Sequence, residues 1–444
     1  MKRICVIILL SALLARSAGA ENLASQNAAI LRDSLHRPQY QKTLELAKKI
    51  GIKTRLSDLT PVNPANLSNA AGIYIKMYSY ASLEAGPDEE SAYTLVDEPE
   101  PVEADWTAAK SFVDGHKDLI ELAHDAAACP VSIIVHTANP LTNHPLLELG
   151  ACRRAARFLA MESLLMAKEG KMDEAIHNID QCFRIGDHAE SDIALIGWLV
   201  GEAIDSTALR SLQHILEISN GNPDVARAVT ESIAKHWKKR SLASALRKDA
   251  ALDIDKIQQW RAGGPESVDI TGDPNDRLHI KMPTPLWHAF MDANGTYLLR
   301  IYLRTIPIAD SPYKSAYQPL SIIMAGVNNR KTSADATLAQ IMSPDASKLL
   351  MTSTRTQAKA AVTAAAAAVF VYSAAHGAEP DSLSQIGAPL PLDPFNDRPL
   401  QYRRIPHGFV VYSVGETRKY RGGSFDSKAH KEQVFYWQKK VVKT

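Results

Sequence analysis

Residues 147–187 read LELGACRRAARFLAMESLLMAKEGKMDEAIHNIDQCFRIGD and determine the fold class. Apolar residues recur every three or four positions on both sides of Glu169-Gly170-Lys171, which is typical of two amphipathic helices joined by a tight turn. We therefore predict an antiparallel, repeat-like helix hairpin over residues 147–188. The next segment, 191–218, is apolar all round at its centre and is predicted to be a buried central helix.

Outward from this hairpin, helical patterns continue over most of the chain. We predict a mainly α fold with a multi-helix antiparallel body over residues 21–345. Residues 346–444 are predicted to form an alanine-rich helix followed by a small α+β module of two or three antiparallel strands. Residues 86–105 hold eight acids, no base and three prolines, a composition typical of a solvated loop.

Residues 1–20 have the three parts of a signal peptide. Lys2 and Arg3 precede an apolar run that is too short to span a bilayer. Ala18-Gly19-Ala20 supplies the small residues that a signal peptidase requires, so we predict cleavage after Ala20 and an exported protein, periplasmic or extracellular. The alternative is an uncleaved membrane anchor.

Composition and charge narrow the classes of partner. The chain has 444 residues, 45% of them hydrophobic, and a formal net charge of +1. The leader contains three bases and no acid, so the mature chain carries about −2 (+1 minus 3). A net charge this close to zero gives no reason to expect a nucleic acid partner, and none is predicted. The uncharged run 360–378 is mostly alanine, which contributes little to membrane transfer, so no transmembrane segment is predicted after signal cleavage.

Three cysteines remain in the mature chain: Cys129, Cys152 and Cys182. An odd number excludes complete internal pairing, although an oxidising compartment permits one bridge. Cys129–Cys152 is the first pair to test for a disulfide. The alternative is that all three are small buried thiols.

The hairpin resembles one tetratricopeptide repeat. Gly170, Met172, Ala175, Ile179 and Cys182 fall at that family's G-x-Y-x2-A-x3-F-x2-A spacing. Glu162 stands where the family has leucine, and no second copy follows in register. The resemblance implies a single repeat-like hairpin within a larger helical body.

The C-terminal part resembles the globular end of type II secretion major pseudopilins. The similarity rests on LPLDPF at 390–395, PLQY at 399–402 and GFVVYSVG at 408–415. In that family an acidic loop follows and binds calcium. Here residues 416–423 are mostly basic or neutral, so no metal is predicted. The resemblance favours an envelope or secretion-system protein as the partner.

The leader, the helical body and this C-terminal part together resemble a family of exported bacterial proteins of planctomycete-like lineages. Further similarity lies in NAAGIY at 69–74, RRAARFLA at 153–160 and LRKDA at 246–250. This resemblance implies no activity.

The sequence contains no HExxH, phosphate-binding glycine loop, GxSxG or CxxC motif, so we predict no catalytic residue, cofactor or metal. Candidate binding residues are instead aromatic or imidazole groups: Tyr74 and Tyr78 at i, i+4 on one helix, His188 beside Asp187, and Tyr402 and Tyr412 in the strands. Each could also pack in the core or cap a helix.

Two functional interpretations follow. The preferred one is an exported, non-enzymatic binding or scaffold protein of the cell envelope. The alternative is a secreted hydrolase whose site is assembled from dispersed His, Asp and Glu residues.

Overall fold

The chain is mainly α-helical with two small antiparallel sheets near the C-terminus, which confirms the predicted fold class. The predicted leader, 1–20, lies outside the residues that the computed structural model describes, so its cleavage stays a prediction. The described residues are 36–54, 58–59, 67–80, 87–98, 101–133, 145–191, 195–264, 283–328, 336–418 and 433–438.

The α-helices are numbered in chain order. They are α1 His36–Lys49, α2 Ala71–Tyr80, α3 Pro87–Asp97, α4 Glu103–Gly115, α5 Lys117–Ala128, α6 Pro145–Lys168, α7 Met172–Glu190, α8 Leu195–Ile218, α9 Pro223–His236, α10 Leu242–Gly263, α11 Thr284–Thr305, α12 Tyr313–Asn328, α13 Thr337–Met342 and α14 Ala346–His376.

The chain divides into two compact units, each built from three segments, and one boundary between segments falls between Asp345 and Ala346. Unit 1 comprises Met1–Leu59, Leu246–Pro307 and Ile322–Asp345; unit 2 comprises Thr60–Ala245, Ile308–Ser321 and Ala346–Thr444. The alanine-rich helix α14 packs against α8 and α9, which explains why it belongs to the same unit as they do.

The predicted hairpin is formed by α6 and α7, which pack on each other and on α8. Gly170 supplies the positive φ of +84° that the turn requires. Ser163 and Ala175 are fully buried, and the Ser163 hydroxyl donates to the Ala175 carbonyl at 2.6 Å. These small residues allow the two helices to approach closely.

The prediction of a loop over residues 86–105 is wrong, because α3 and the start of α4 occupy most of it. Pro87 fits the first turn of α3, and the acids that follow it are stabilised by the positive end of the helix dipole. Glu89 is buried because Arg154 donates to it through Nε at 2.7 Å and Tyr93 also bonds to it. The acidic composition therefore reflects the preference for acids in the first turn of a helix, together with one buried ion pair.

Helix α14 and the residues before it, Thr337–His376, are long and apolar enough to cross a membrane by length and composition alone. Most of this apolar stretch is buried within the structure. Core helices commonly have this character, so the finding carries little weight for a membrane span.

The C-terminal module contains both sheets. β1 Leu392–Asp393 pairs with β2 Arg398–Pro399, and β3 Gln401–Ile405, β4 Gly408–Tyr412 and β5 Val434–Gln438 form a three-stranded sheet with β4 in the centre. Phe370 of α14 packs edge-on against Phe409 and Trp437 of this sheet, at centroid distances of 5.1 and 4.9 Å. The predicted strands are thus joined to the alanine-rich helix.

Unit 1 is built around α1, α10 and α11. In α10, Asp249 and Asp253 lie one turn apart and both accept from the Tyr302 hydroxyl, at 2.6 and 2.7 Å. Burial, followed by the charge of Asp249, raises the pKa of Asp253 well above its usual value. A proton held on this pair reduces the cost of burying two carboxyl groups together.

Candidate functional site

The structure brings together two of the predicted binding residues, Tyr74 and His188. The Tyr74 hydroxyl lies 2.9 Å from His188 Nδ1, and His188 Nε2 lies 3.0 Å from the carbonyl oxygen of Cys129. Burial lowers the pKa of His188 to about 4, so the imidazole is neutral at pH 7. Both side chains are buried, and they link α2 and α7 rather than line a groove.

The other three predicted tyrosines have different surroundings. Tyr78 is half-buried one turn along α2. The Tyr402 hydroxyl donates to the Pro380 carbonyl at 2.8 Å, and Tyr412 is fully buried in the central strand. Tyr402 and Tyr412 therefore contribute to the packing of the sheet.

Cys129, Cys152 and Cys182 are buried thiols without a disulfide bond, so the Cys129–Cys152 bridge is not formed. The Cys129 thiol is directed to the Asp125 carbonyl at 3.5 Å, on its own helix. The Cys182 thiol donates to the Ala156 carbonyl at 3.3 Å. Each of these two thiols thus has a main-chain partner, and burial raises the pKa of both.

A second histidine, His124, joins three helices of unit 2. Its Nε2 lies 2.7 Å from Glu162 Oε2, and its Nδ1 lies 2.7 Å from Gln181 Oε1. Both partner atoms are acceptors, an arrangement that favours the protonated ring. The hydrogen bond to Glu162 raises the pKa of His124 accordingly. With both nitrogens engaged, His124 is an interhelical link and is poorly placed to act as a general base.

Three arginines, the basic cluster, gather near the C-terminal end of α3: Arg153, Arg157 and Arg210. Arg157 Nη2 lies 2.5 Å from Asp97 Oδ2, and Arg210 donates to the Asp97 main-chain oxygen. Cations are favourable here because a helix C-terminus carries partial negative charge.

The cluster has more positive charge than capping needs. Burial, followed by the charge of Arg157, lowers the pKa of Arg153, and burial also lowers the pKa of Arg210. Arg157 Nε is buried and makes no hydrogen bond to any described residue. Within the same described ranges, Arg153 forms no hydrogen bond or ion pair.

Beside the cluster, Lys359 Nζ lies 2.7 Å from the Ser206 hydroxyl and 3.2 Å from the Ser206 carbonyl oxygen. Lys359 is 6% exposed, whereas Ser206 is partly exposed. Burial, followed by the charge of Arg210, lowers the pKa of Lys359 well below its usual value. The arrangement places a hydroxyl against a lysine whose charged form is disfavoured by burial.

This contact is one of several polar contacts between α8 and α14, which we name the polar seam. Ser353 donates to Glu202 Oε1 at 3.0 Å, one turn before Ser206 along α8. Further along, Gln213 donates to Thr363 at 3.0 Å. The polar seam aligns α14 on α8 and places Lys359 against Ser206.

The basic cluster and the polar seam were not predicted from the sequence. Two signals were present. Arg153 and Arg157 are one turn apart on α6, within the RRAARFLA segment. Lys359 is the last charge before a long uncharged run in an alanine-rich helix, where a buried lysine requires a polar partner.

Comparisons with known proteins do not identify a relative: no family model, no curated protein and no solved structure matches the chain.

Proposed function

We propose that this chain is an exported binding protein whose basic cluster holds an anionic group of its ligand, such as a phosphate, sulfate or carboxylate. The observation that carries the proposal is the buried Arg157 Nε, a donor with no acceptor among the described residues, next to Arg153, an exposed guanidinium that forms no ion pair there. A buried donor without an acceptor costs about 1–3 kcal/mol. An anion that accepts from it removes that cost.

Helix capping alone does not account for the cluster. Arg157 and Arg210 already bond to Asp97, and His214 Nε2 lies 3.3 Å from the Glu98 carbonyl oxygen. These groups already bind the C-terminal end of α3, so Arg153 is not needed for capping. A guanidinium kept near Arg157, despite their mutual repulsion, favours a site that is completed by an external negative charge.

The direct test is isothermal titration of the full chain with inorganic phosphate at constant ionic strength. We expect saturable binding to one site. The R153Q variant is expected to bind about tenfold more weakly, which is the loss of roughly one charge-assisted hydrogen bond. R227Q is the matched control, because Arg227 pairs locally with Asp224 on an exposed face of α9.

Equal affinity in R153Q and the wild type would show that phosphate binds elsewhere. A second arm replaces phosphate by vesicles that contain an anionic lipid, with sedimentation as the measurement. Binding of phosphate without binding of vesicles would identify a free or covalently attached anion as the ligand, whereas binding of both would indicate a lipid headgroup.

Export and an envelope partner are the second part of the proposal, and they rest on the sequence of residues 1–20. N-terminal sequencing of the protein recovered from its native cell tests them. We expect Glu21 as the first residue and recovery from the envelope or the medium. An intact Met1 on cytosolic protein would contradict export while leaving anion binding unaffected.

A further inference from the structure

We propose that Ser206 is a nucleophile and Lys359 its general base, so that the polar seam carries a hydrolytic site for esters or amides. The geometric basis is the 2.7 Å distance between Lys359 Nζ and Ser206 Oγ. A nucleophilic hydroxyl and its base must lie within hydrogen-bond distance, and serine–lysine pairs satisfy this requirement on several unrelated folds.

The Ser206 hydroxyl is bonded differently from its neighbours on α8. Thr207 donates to the Ala203 carbonyl at 3.2 Å, and Ser211 donates to the Thr207 carbonyl at 3.1 Å, which is the usual arrangement within a helix. In the part of the chain that the structure describes, the hydroxyl of Ser206 has Lys359 Nζ as its only partner. It accepts from Nζ there, so its own proton is not held by a main-chain carbonyl of a described residue and remains available for transfer to the amine.

The surroundings of Lys359 suit a base. No carboxylate of a described residue lies within ion-pair distance of Nζ. Burial and the nearby Arg210 both disfavour the ammonium form, and Asp97 opposes them more weakly. A neutral lysine keeps a lone pair that can accept the serine proton. Ser206 is partly exposed and Lys359 is buried, so a substrate would reach the serine before the lysine.

The reaction balances without any further reagent except water. Ser206 Oγ bonds to the carbonyl carbon of the substrate while its proton moves to Lys359 Nζ. The bond from carbon to the leaving oxygen or nitrogen then breaks, and that atom takes the proton from Nζ. Water attacks the acyl-serine and gives its proton to Nζ; the acid leaves, and Ser206 recovers its proton.

The choice of substrate rests on the proposed anion binding, whereas the serine–lysine pair does not. Arg210 lies one turn after Ser206 on α8 and belongs to the basic cluster. A negative group held there would place a neighbouring ester or amide carbonyl near Ser206. The substrate class is therefore an ester or amide whose acid part carries a phosphate, sulfate or carboxylate.

The test uses p-nitrophenyl acetate, a neutral activated ester, with the full chain. After a short incubation, peptide mapping by mass spectrometry locates the acetyl group, and release of p-nitrophenol gives the rate. We expect acetylation at Ser206, a rate that rises with pH through the ionisation of Lys359, and loss of both in S206A. S211A is the matched control, because Ser211 is a buried serine of the same helix that bonds to a carbonyl.

K359M separates catalysis from packing. Methionine fills the same buried volume without a charge, so circular dichroism should show an unchanged fold, and Ser206 acetylation should fall by at least tenfold, with its pH dependence lost. Equal acetylation in K359M, or no acetylation of Ser206 in the wild type, would overturn the proposal. S206A should still bind phosphate, so that failure of the serine–lysine pair and failure of anion binding are distinguished.

Discussion

Arg240 forms a two-pronged ion pair with Asp205 in the core of unit 2: Nε lies 2.9 Å from Oδ2, Nη2 lies 2.8 Å from Oδ1, and both side chains are only 2% exposed. The same guanidinium also reaches Asp187 and Glu190 through Nη1, at 3.1 and 2.6 Å. Helices α7 and α8 and the segment before α10 are therefore joined at one point. Gly186 leaves the space for this, since a Cβ there would lie 2.6 Å from Arg240 Nη2.

Replacement of Arg240 by methionine should destabilise the protein by about 3–5 kcal/mol, because it leaves the Asp205 carboxylate buried without its partner. The measurement is the free energy of unfolding in urea. R227Q, which breaks an exposed pair, should change stability by less than about 0.5 kcal/mol. A loss below roughly 1 kcal/mol in R240M would contradict the burial of an intact ion pair.

His124 should make stability depend on pH. Its pKa is raised above 6.5 in the folded chain, chiefly by the hydrogen bond to Glu162. The stabilisation is therefore complete below the unfolded pKa and is lost as pH rises through the folded pKa. The H124Q variant should be less stable than the wild type at pH 6, and the difference should shrink as pH rises.

Denaturation midpoints of both proteins between pH 6 and pH 9 provide the measurement. H376Q is the control, because His376 is exposed at the end of α14 and bonds within its own helix. A gap between wild type and H124Q that stays constant over this range would show that the imidazole is not held as the cation.

Asp393, the last residue of β1, connects this strand to the residues that follow β4 in the C-terminal module. Its carboxylate accepts from the main-chain nitrogens of Phe395 and Val414, at 3.0 and 2.7 Å, and from the Ser413 hydroxyl at 2.9 Å. D393N should lower the free energy of unfolding by about 2–3 kcal/mol. Asparagine replaces one acceptor oxygen by an NH2 group, which would face these donors with N–H bonds of its own. The measurement is thermal unfolding followed by circular dichroism.

D381N is the control for that variant, since Asp381 forms an exposed pair with Arg404. It should leave the unfolding midpoint unchanged. If D393N also left it unchanged, the hydrogen bonds to Ser413 and Val414 would not be stabilising the module.

Gly295 in α11 contacts the ring of Tyr40 in α1. An added Cβ would lie 2.6 Å from Tyr40 Cε2. G295A should therefore lower the free energy of unfolding by about 1–3 kcal/mol through overpacking. Gly326, in α12, has open space around it. G326A should instead raise the free energy of unfolding by up to about 1 kcal/mol, because alanine has a higher helix propensity than glycine. Changes of the same sign in both variants would contradict this close approach of α1 and α11.

The sequence predicted the elements whose patterns are local. The turn at Gly170, the small residue Ala175 and the short strands near the C-terminus all follow from neighbours along the chain. The acidic segment was misread, because the burial of Glu89 depends on Arg154, which lies 65 positions away. Composition favours a solvated loop only when no such partner is available.

The candidate site was harder to predict for the same reason. Ser206 and Lys359 are 153 positions apart, and neither lies in a recognisable motif. Tyr74 and His188 were identified as candidates and do meet, yet their burial makes them a core contact. Sequence patterns indicate which side chains can do chemistry; whether a group is exposed, and what it faces, depends on the packing of distant helices.

The most direct test of anion binding at the basic cluster is a crystal structure of the full chain grown with phosphate. We predict a phosphate within hydrogen-bond distance of Arg157 Nε and the Arg153 guanidinium, with Arg210 alongside. A structure that shows phosphate elsewhere on the surface and Arg157 Nε still without an acceptor would contradict the account.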